Sequence, residues 1–139
     1  MGDRPVVLDT HVWIWLLNGD RALSPQAREA ARAAAETGQV LVSPISVWEV
    51  GMLEARGRIS FGADVGEWVR QGLAAPGICL APLTPQIALA SSRLPGSIPG
   101  DPADRLIVAT ARAHDAVLVT RDRDLLAYSE GGFVAACAA

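Results

Sequence analysis

Five acidic residues are placed where they could do chemistry: Asp9 in VVLDTHVWIWL, Glu49 in SVWEVGML, Asp104 in GDPADRLIVATA, and Asp122 and Asp124 in VTRDRDL. A single acid between a strand and a helix is most often a cap or a turn residue. Several brought together are another matter. Two carboxylates ~4 Å apart repel by about 4 kcal/mol at an effective dielectric of 20, so protons or a cation must relieve them. Hard oxygen donors without a His or Cys cluster suit Mg²⁺ or Mn²⁺, which keep several waters and share substrate phosphate oxygens. Such an ion activates water and stabilises the leaving oxygen in phosphodiester hydrolysis.

The elements that would position these acids are legible in outline. Ser24-Pro25, Ser43-Pro44, Thr84-Pro85 and Asp101-Pro102 each read as a capping residue followed by proline at the first helical position. The helices they open alternate with short apolar runs, Val6-Val7-Leu8, Val40-Leu41-Val42, Ile78-Cys79-Leu80 and Ala116-Val117-Leu118-Val119, with a weaker Phe133-Val134. Continuous apolar runs suit strands covered on both faces of a parallel sheet. Residues 22–37 and 63–73 read as further helical segments, and 55–62 and 95–100 as loops. The expectation is an α/β fold, a three-layer α/β/α sandwich around a mainly parallel, roughly five-stranded sheet, with residues 1–139 forming one domain. In such sheets ligands gather at the carboxyl ends of the strands. Asp9 follows the first strand and Asp122 and Asp124 the fourth, while Glu49 and Asp104 lie early in helices, so all belong to one edge.

Composition bounds the remaining possibilities. Half of the 139 residues are hydrophobic, 19% are charged, and the net charge is −3. That balance excludes a disordered chain and a nucleic-acid coat held by bulk positive potential, so any nucleic-acid contact must be local. No apolar run reaches the roughly 18 residues of a membrane span. The opening MGDRPVVLDT carries no leader pattern, and Cys79 and Cys137 suggest no disulfide framework, so a reducing cytoplasm is expected. All twelve basic residues are arginine. Without lysine, a phosphoaspartyl enzyme of the haloacid-dehalogenase type and a response-regulator receiver both fail. Asp-Thr-His-Val after the first strand is not the glycine-rich turn of a dinucleotide-binding domain.

LDTHVWIW, SVWEVGML, GDPADRLIVATA and VTRDRDL, in this order across the chain, resemble the four signature segments of PIN-domain ribonucleases. More narrowly they resemble the VapC-type toxins of bacterial toxin–antitoxin pairs. The resemblance implies a Mg²⁺- or Mn²⁺-dependent endoribonuclease with Asp9, Glu49, Asp104 and Asp122 as its acidic set. Asp124 could stand in for Asp122, and Thr120 falls where the family often has a hydroxyl that helps hold the site. It further implies an RNA substrate, a homodimer, and a cognate antitoxin whose C-terminal segment packs near the active site. Apolar residues around Trp13 and Trp15, and the region 55–68, are candidates for that surface.

Other readings compete at each position. Ser46 to Glu49 and Asp101 to Asp104 both fit capping boxes, although Ser43-Pro44 is the better helix start. Asp101 reads as the cap of its helix. His11 reads as a hydrogen-bonding or packing residue in preference to a general base. Trp13, Trp15 and Trp48 could stack bases, but their apolar neighbours favour core or a protein interface. Arg105 and Arg121 adjoin the acids and could meet a phosphate or be locally paired. A noncatalytic PIN-fold module that binds RNA or protein is the alternative function.

Overall fold

A computed structural model describes residues 4–62, 64–98 and 100–139. Five strands, β1 (Val6–Leu8), β2 (Val40–Val42), β3 (Ile78–Leu80), β4 (Val117–Thr120) and β5 (Ala135–Ala138), form one sheet in the order β3-β2-β1-β4-β5. Every pairing is parallel, with Val6 opposite both Val40 and Val117. Helices α1 (Thr10–Asn18), α2 (Pro25–Ala35), α3 (Pro44–Ala55), α4 (Val65–Ala74), α5 (Pro85–Ser91), α6 (Pro102–Ala113) and α7 (Arg123–Glu130) make the connections.

The all-parallel sheet follows from those connections, because parallel neighbours need a crossover that a helix supplies. Strand residues alternate between the two faces. Val6, Leu8, Val40, Val42 and Val119 point into a core completed by α1 to α4. Val7 and Leu118 point into a second core with Ile87, Ile107, Val108, Leu125 and Tyr128 from α5 to α7. The three-layer architecture thus matches the expectation.

All four Ser/Thr/Asp-Pro pairs start helices as read: Ser24, Ser43, Thr84 and Asp101 are N-caps whose side-chain oxygens accept main-chain N–H bonds. Two strands differ from their reading. Ile78-Cys79-Leu80 is an edge strand, with Cys79 and Leu80 exposed, because β2 is its one neighbour and little covers its outer half. The last strand begins at Ala135; Phe133 precedes it and instead stacks on Tyr128, ring centroids 4.9 Å apart. Small alanines fit the ladder beside β4, while the Phe133 ring fills space between helix and loop. The expected helix start at Ala63, and Pro99 of the expected loop, lie outside the described residues.

The tryptophans divide sharply. Trp13 is wholly buried and donates its indole N–H to the Gly72 carbonyl at 3.3 Å. A Cβ on Gly72 would sit 3.0 Å from the Trp13 ring, so glycine permits this close approach. Trp13 therefore belongs to the core and drops out of any partner surface.

Candidate functional site: an acidic opening at the carboxyl ends of the strands

With every strand parallel, the residues that follow β1, β2 and β4 emerge on one edge. Asp9 leaves β1 as the N-cap of α1; its Oδ1 accepts from Thr10 N at 2.9 Å. Its Oδ2 accepts from the Thr120 hydroxyl, at the end of β4, at 2.6 Å. Thr120 Oγ1 in turn accepts from Asp122 N at 3.0 Å, and Asp122 caps α7 through Asp124 N and Leu125 N. One fully buried hydroxyl thereby couples two acids. For Asp9 and Asp122, capping and a place at the site are the same fact: the helix end fixes how the carboxylate points.

Glu49 comes from α3, which packs against α1 and α6. Its Oε1 meets the Thr10 hydroxyl, which also lies 2.9 Å from the Ser46 hydroxyl. A hydroxyl has one proton, and an ionised carboxylate can only accept. Thr10 accordingly donates to Glu49 while Ser46 donates to Thr10. The capping-box reading of Glu49 is not realised: Ser46 N donates to the Ser43 carbonyl, and Ser43 caps the helix.

Asp104 sits in the first turn of α6, three residues after its cap, Asp101, whose Oδ1 accepts from Ala103 N at 2.9 Å and Asp104 N at 3.4 Å. Among the described residues the Asp104 carboxylate accepts no hydrogen bond, so the reciprocal half of a capping box is missing. Its pKa is pushed up to about 7, first by burial and then by the charges of Asp9, Asp101, Asp122 and Glu49. Asp9 and Glu49 are also raised, each first by burial; hydrogen bonds from Thr120 and Thr10 oppose the rise at Asp9, and one from Thr10 opposes it at Glu49.

The charges of Asp9, Asp122 and Glu49 all bear on Asp104, so the structure brings these four acids near one another at this edge of the sheet. The Asp122 charge acts on both Asp9 and Asp104, whereas Asp124, exposed in the first turn of α7, acts on neither. Arg105 is turned toward α5, where its Nε donates to the Ser91 carbonyl at 2.9 Å. Arg121 donates to the carbonyls of Ala22 and Ala139, and its guanidinium lies 4.5 Å from the centre of the Trp15 ring. His11 is exposed beside Glu49 in the neighbouring cleft, its ring 6.0 Å from that of Trp15.

Three contributors escaped the sequence reading. Thr10 and Ser46 form the hydroxyl relay to Glu49, and Asp101 adds its charge to the pressure on Asp104 and Glu49. Ser46 lies three residues before Glu49, hence on the same helical face, which was a usable signal. Thr10 offered none, since its partner lies 39 residues away. Among the described residues no three His, Cys, Asp or Glu side chains close into a ready-made cage.

The family model of the PIN domain matches residues 6–131. The chain is 40% identical over 120 residues to Ribonuclease VapC22 of Mycobacterium tuberculosis, covering 86% of this chain and 88% of that protein. Among solved structures, a chain of VapBC2 from Rickettsia felis bound to a DNA fragment of its promoter superposes with a TM-score of 0.68 at 15% identity, covering 96% of this chain and 97% of that one. A chain of FitAcB from Neisseria gonorrhoeae superposes with a TM-score of 0.51 at 21% identity, covering 94% and 95%. At these identities the structural likeness is one of fold. The match over nearly the whole chain and the relationship to VapC22 are more specific: this chain belongs to the PIN-domain family.

Proposed function

We propose that the chain is the toxin of a toxin–antitoxin pair, an endoribonuclease that hydrolyses RNA phosphodiesters with Mg²⁺ or Mn²⁺ held by Asp9, Glu49, Asp104 and Asp122. One observation carries this reading: the Asp104 carboxylate accepts no hydrogen bond among the described residues, and burial together with four neighbouring carboxylates lifts its pKa to about 7. Helix capping does not require that arrangement. The donor set fits a hard divalent cation, because every ligating atom is a carboxylate oxygen and Mg²⁺ needs only one or two of them beside its waters. When bound, such an ion supplies Lewis-acid activation of the attacking water and charge stabilisation of the leaving oxygen.

The residues of the chain have separable tasks. Thr120 and Thr10 N hold both oxygens of Asp9, so its orientation is set before substrate arrives. The Ser46–Thr10 relay holds Glu49, and the α7 N-terminus holds Asp122. Asp104 is left to adjust. A phosphodiester approaching these acids alone would be repelled, so charge compensation in the opening also governs substrate entry.

The reading extends to partners. The relative VapC22 is named a ribonuclease, and the solved neighbours carry the paired names VapBC2 and FitAcB. An antitoxin, a homodimer and a cytoplasmic setting are proposed here on that footing; among the described residues no helix is long and apolar enough to cross a membrane. The test is incubation of the purified chain with labelled RNA, with Mg²⁺ or Mn²⁺ and with chelator. Cuts that need the cation and vanish in Asp9→Asn are expected. RNA retained but never cut would replace this reading with that of a binding module.

A further inference from the structure

Beside the acids lies a cleft of about 580 Å³ lined by His11, Trp48, Glu49, Met52, Arg56 and Arg58 among others. Trp48 is 57% exposed, while Val50, two residues on, is wholly buried. The other three tryptophans are each accounted for: Trp13 fills the core, Trp68 packs against Trp13 and Phe61, and Trp15 lies under Arg121. Among the described residues Trp48 has no such partner. It contributes little to the core, and leaving an indole this open forgoes much of its burial free energy.

The far end of the cleft is basic. Arg56 and Arg58 make no ion pair and no side-chain hydrogen bond among the described residues, whereas Arg4, Arg32 and Arg70 are ion-paired. Between them Gly57, at φ +68°, ends α3: Gly57 N donates to the Glu54 carbonyl and Arg58 N to the Leu53 carbonyl. This left-handed turn brings the chain back so that both guanidinium groups serve the same cleft. Trp48, Met52 and Arg56 recur every four residues along one face of α3, spanning about 12 Å.

We propose that Trp48, Arg56 and Arg58 form a track for single-stranded RNA leading out of the acidic opening: an unpaired base beside the scissile phosphate stacks on the Trp48 indole, and the two arginines take the phosphates that follow. The proposal rests on the functional reading above and deepens it. A cleft that carries an acid and an exposed indole side by side, with two arginines about two helical turns further along, fits a strand whose reacting phosphate needs a cation and whose later phosphates need arginine. An apolar protein segment would match the indole and leave both charged ends unused. Duplex RNA would keep its bases stacked in the helix, away from the indole.

The test compares Trp48→Leu, Trp48→Phe, Arg56→Gln and Arg58→Gln in the full chain. Steady-state cleavage of one single-stranded RNA in Mn²⁺ is measured, together with binding of the same RNA to each variant on an Asp104→Asn background, which removes cutting. Trp48→Leu should raise KM and Kd about tenfold with kcat little changed, the scale of one lost base–aromatic stack, and Trp48→Phe should recover most of the loss. Each arginine variant should reduce the slope of log Kd against log salt by about 0.7. Wild-type KM and Kd in Trp48→Leu would overturn the proposal, as would absence of RNA binding in the Asp104→Asn background. Normal RNA handling with weakened antitoxin binding would also overturn it and assign the face to the protein partner. If the wild-type chain does not cut RNA at all, the functional reading fails, while the ratio of Kd between Trp48→Leu and Trp48→Phe still decides the track.

Discussion

Asp9 and Asp122, at the ends of β1 and β4, have carboxylates tied to helix N-termini and coupled through the Thr120 hydroxyl. On α3 and α6, the Asp104 carboxylate accepts no hydrogen bond among the described residues, and Glu49 is held by one hydroxyl. The two sides carry the same chemical group under opposite regimes. On the sheet side, hydrogen bonds from Thr120 and Thr10 fix the Asp9 carboxylate and oppose the rise in pKa that burial causes, although the pKa stays raised. At Asp104, burial and like charge accumulate without that relief, and the pKa climbs to about 7. The sheet side supplies geometry and the helix side stores repulsion that a cation would relieve.

Neutralising one acid on each side probes the contrast most strongly. Asp9→Asn removes the fixed charge and should abolish RNA cleavage and greatly weaken stabilisation by Mn²⁺, checked by cleavage assay and thermal melting. Asp104→Asn should lower turnover by orders of magnitude while leaving the metal-free protein as stable as wild type or slightly more so, because repulsion is relieved. If it were only a capping residue, activity would survive. Asp101→Asn separates the two roles: Asn caps a helix about as well as Asp, so cleavage should survive while only the share of the repulsion that Asp101 contributes is relieved.

Thr120→Val tests the coupling itself. It removes the donor to Asp9 and the acceptor for Asp122 N at a wholly buried position, so a loss of about 1–3 kcal/mol in denaturant unfolding is expected. Because it loosens a residue proposed to hold the cation, activity should fall roughly 10- to 100-fold. Equal loss of activity in Thr120→Ser, which keeps the hydroxyl, would show that the bond to Asp9 is not what matters.

A smaller effect should appear in pH dependence. Asp104 ionises near 7 when folded against 3.8 as its ordinary value, so the folded state binds its proton more tightly. Metal-free stability is therefore greatest at low pH in this respect and should decline as pH rises from about 4 to about 7, levelling above. The raised pKa values of Asp9 and Glu49 act with the same sign. Asp104→Asn should flatten the profile of melting temperature against pH; an unchanged profile would remove Asp104 as its source. Smallest of all, Asp124→Asn should leave cleavage within about twofold, since its exposed carboxylate acts on neither Asp9 nor Asp104.

What could be read from the sequence follows the range of the interactions. The cap-and-proline pairs decide helix starts within four residues, and all four lie where they were read. The acids could be assigned to one sheet edge because parallel strands force that geography. Edge exposure of Leu80 could not be read, because strand order is a long-range property and the apolar run itself looks like a buried strand. Nor could the rival duties of Asp104 be separated by spacing; that took its carboxylate, which accepts no hydrogen bond among the described residues, and the charges gathered around it. Arg105 and Arg121 adjoin the acids in sequence, yet helix and strand geometry turns them to Ser91 and to Ala22 and Ala139.

The central claim is that the four acids share one divalent cation site under electrostatic strain. Its most direct test is the melting temperature of wild type and Asp104→Asn titrated with Mn²⁺ at pH 8 and constant ionic strength. Wild type should rise with Mn²⁺ by mass action and Asp104→Asn should rise far less, starting from an equal or higher metal-free value. Equal rises in both proteins, or a wild-type rise matched by NaCl alone, would contradict it.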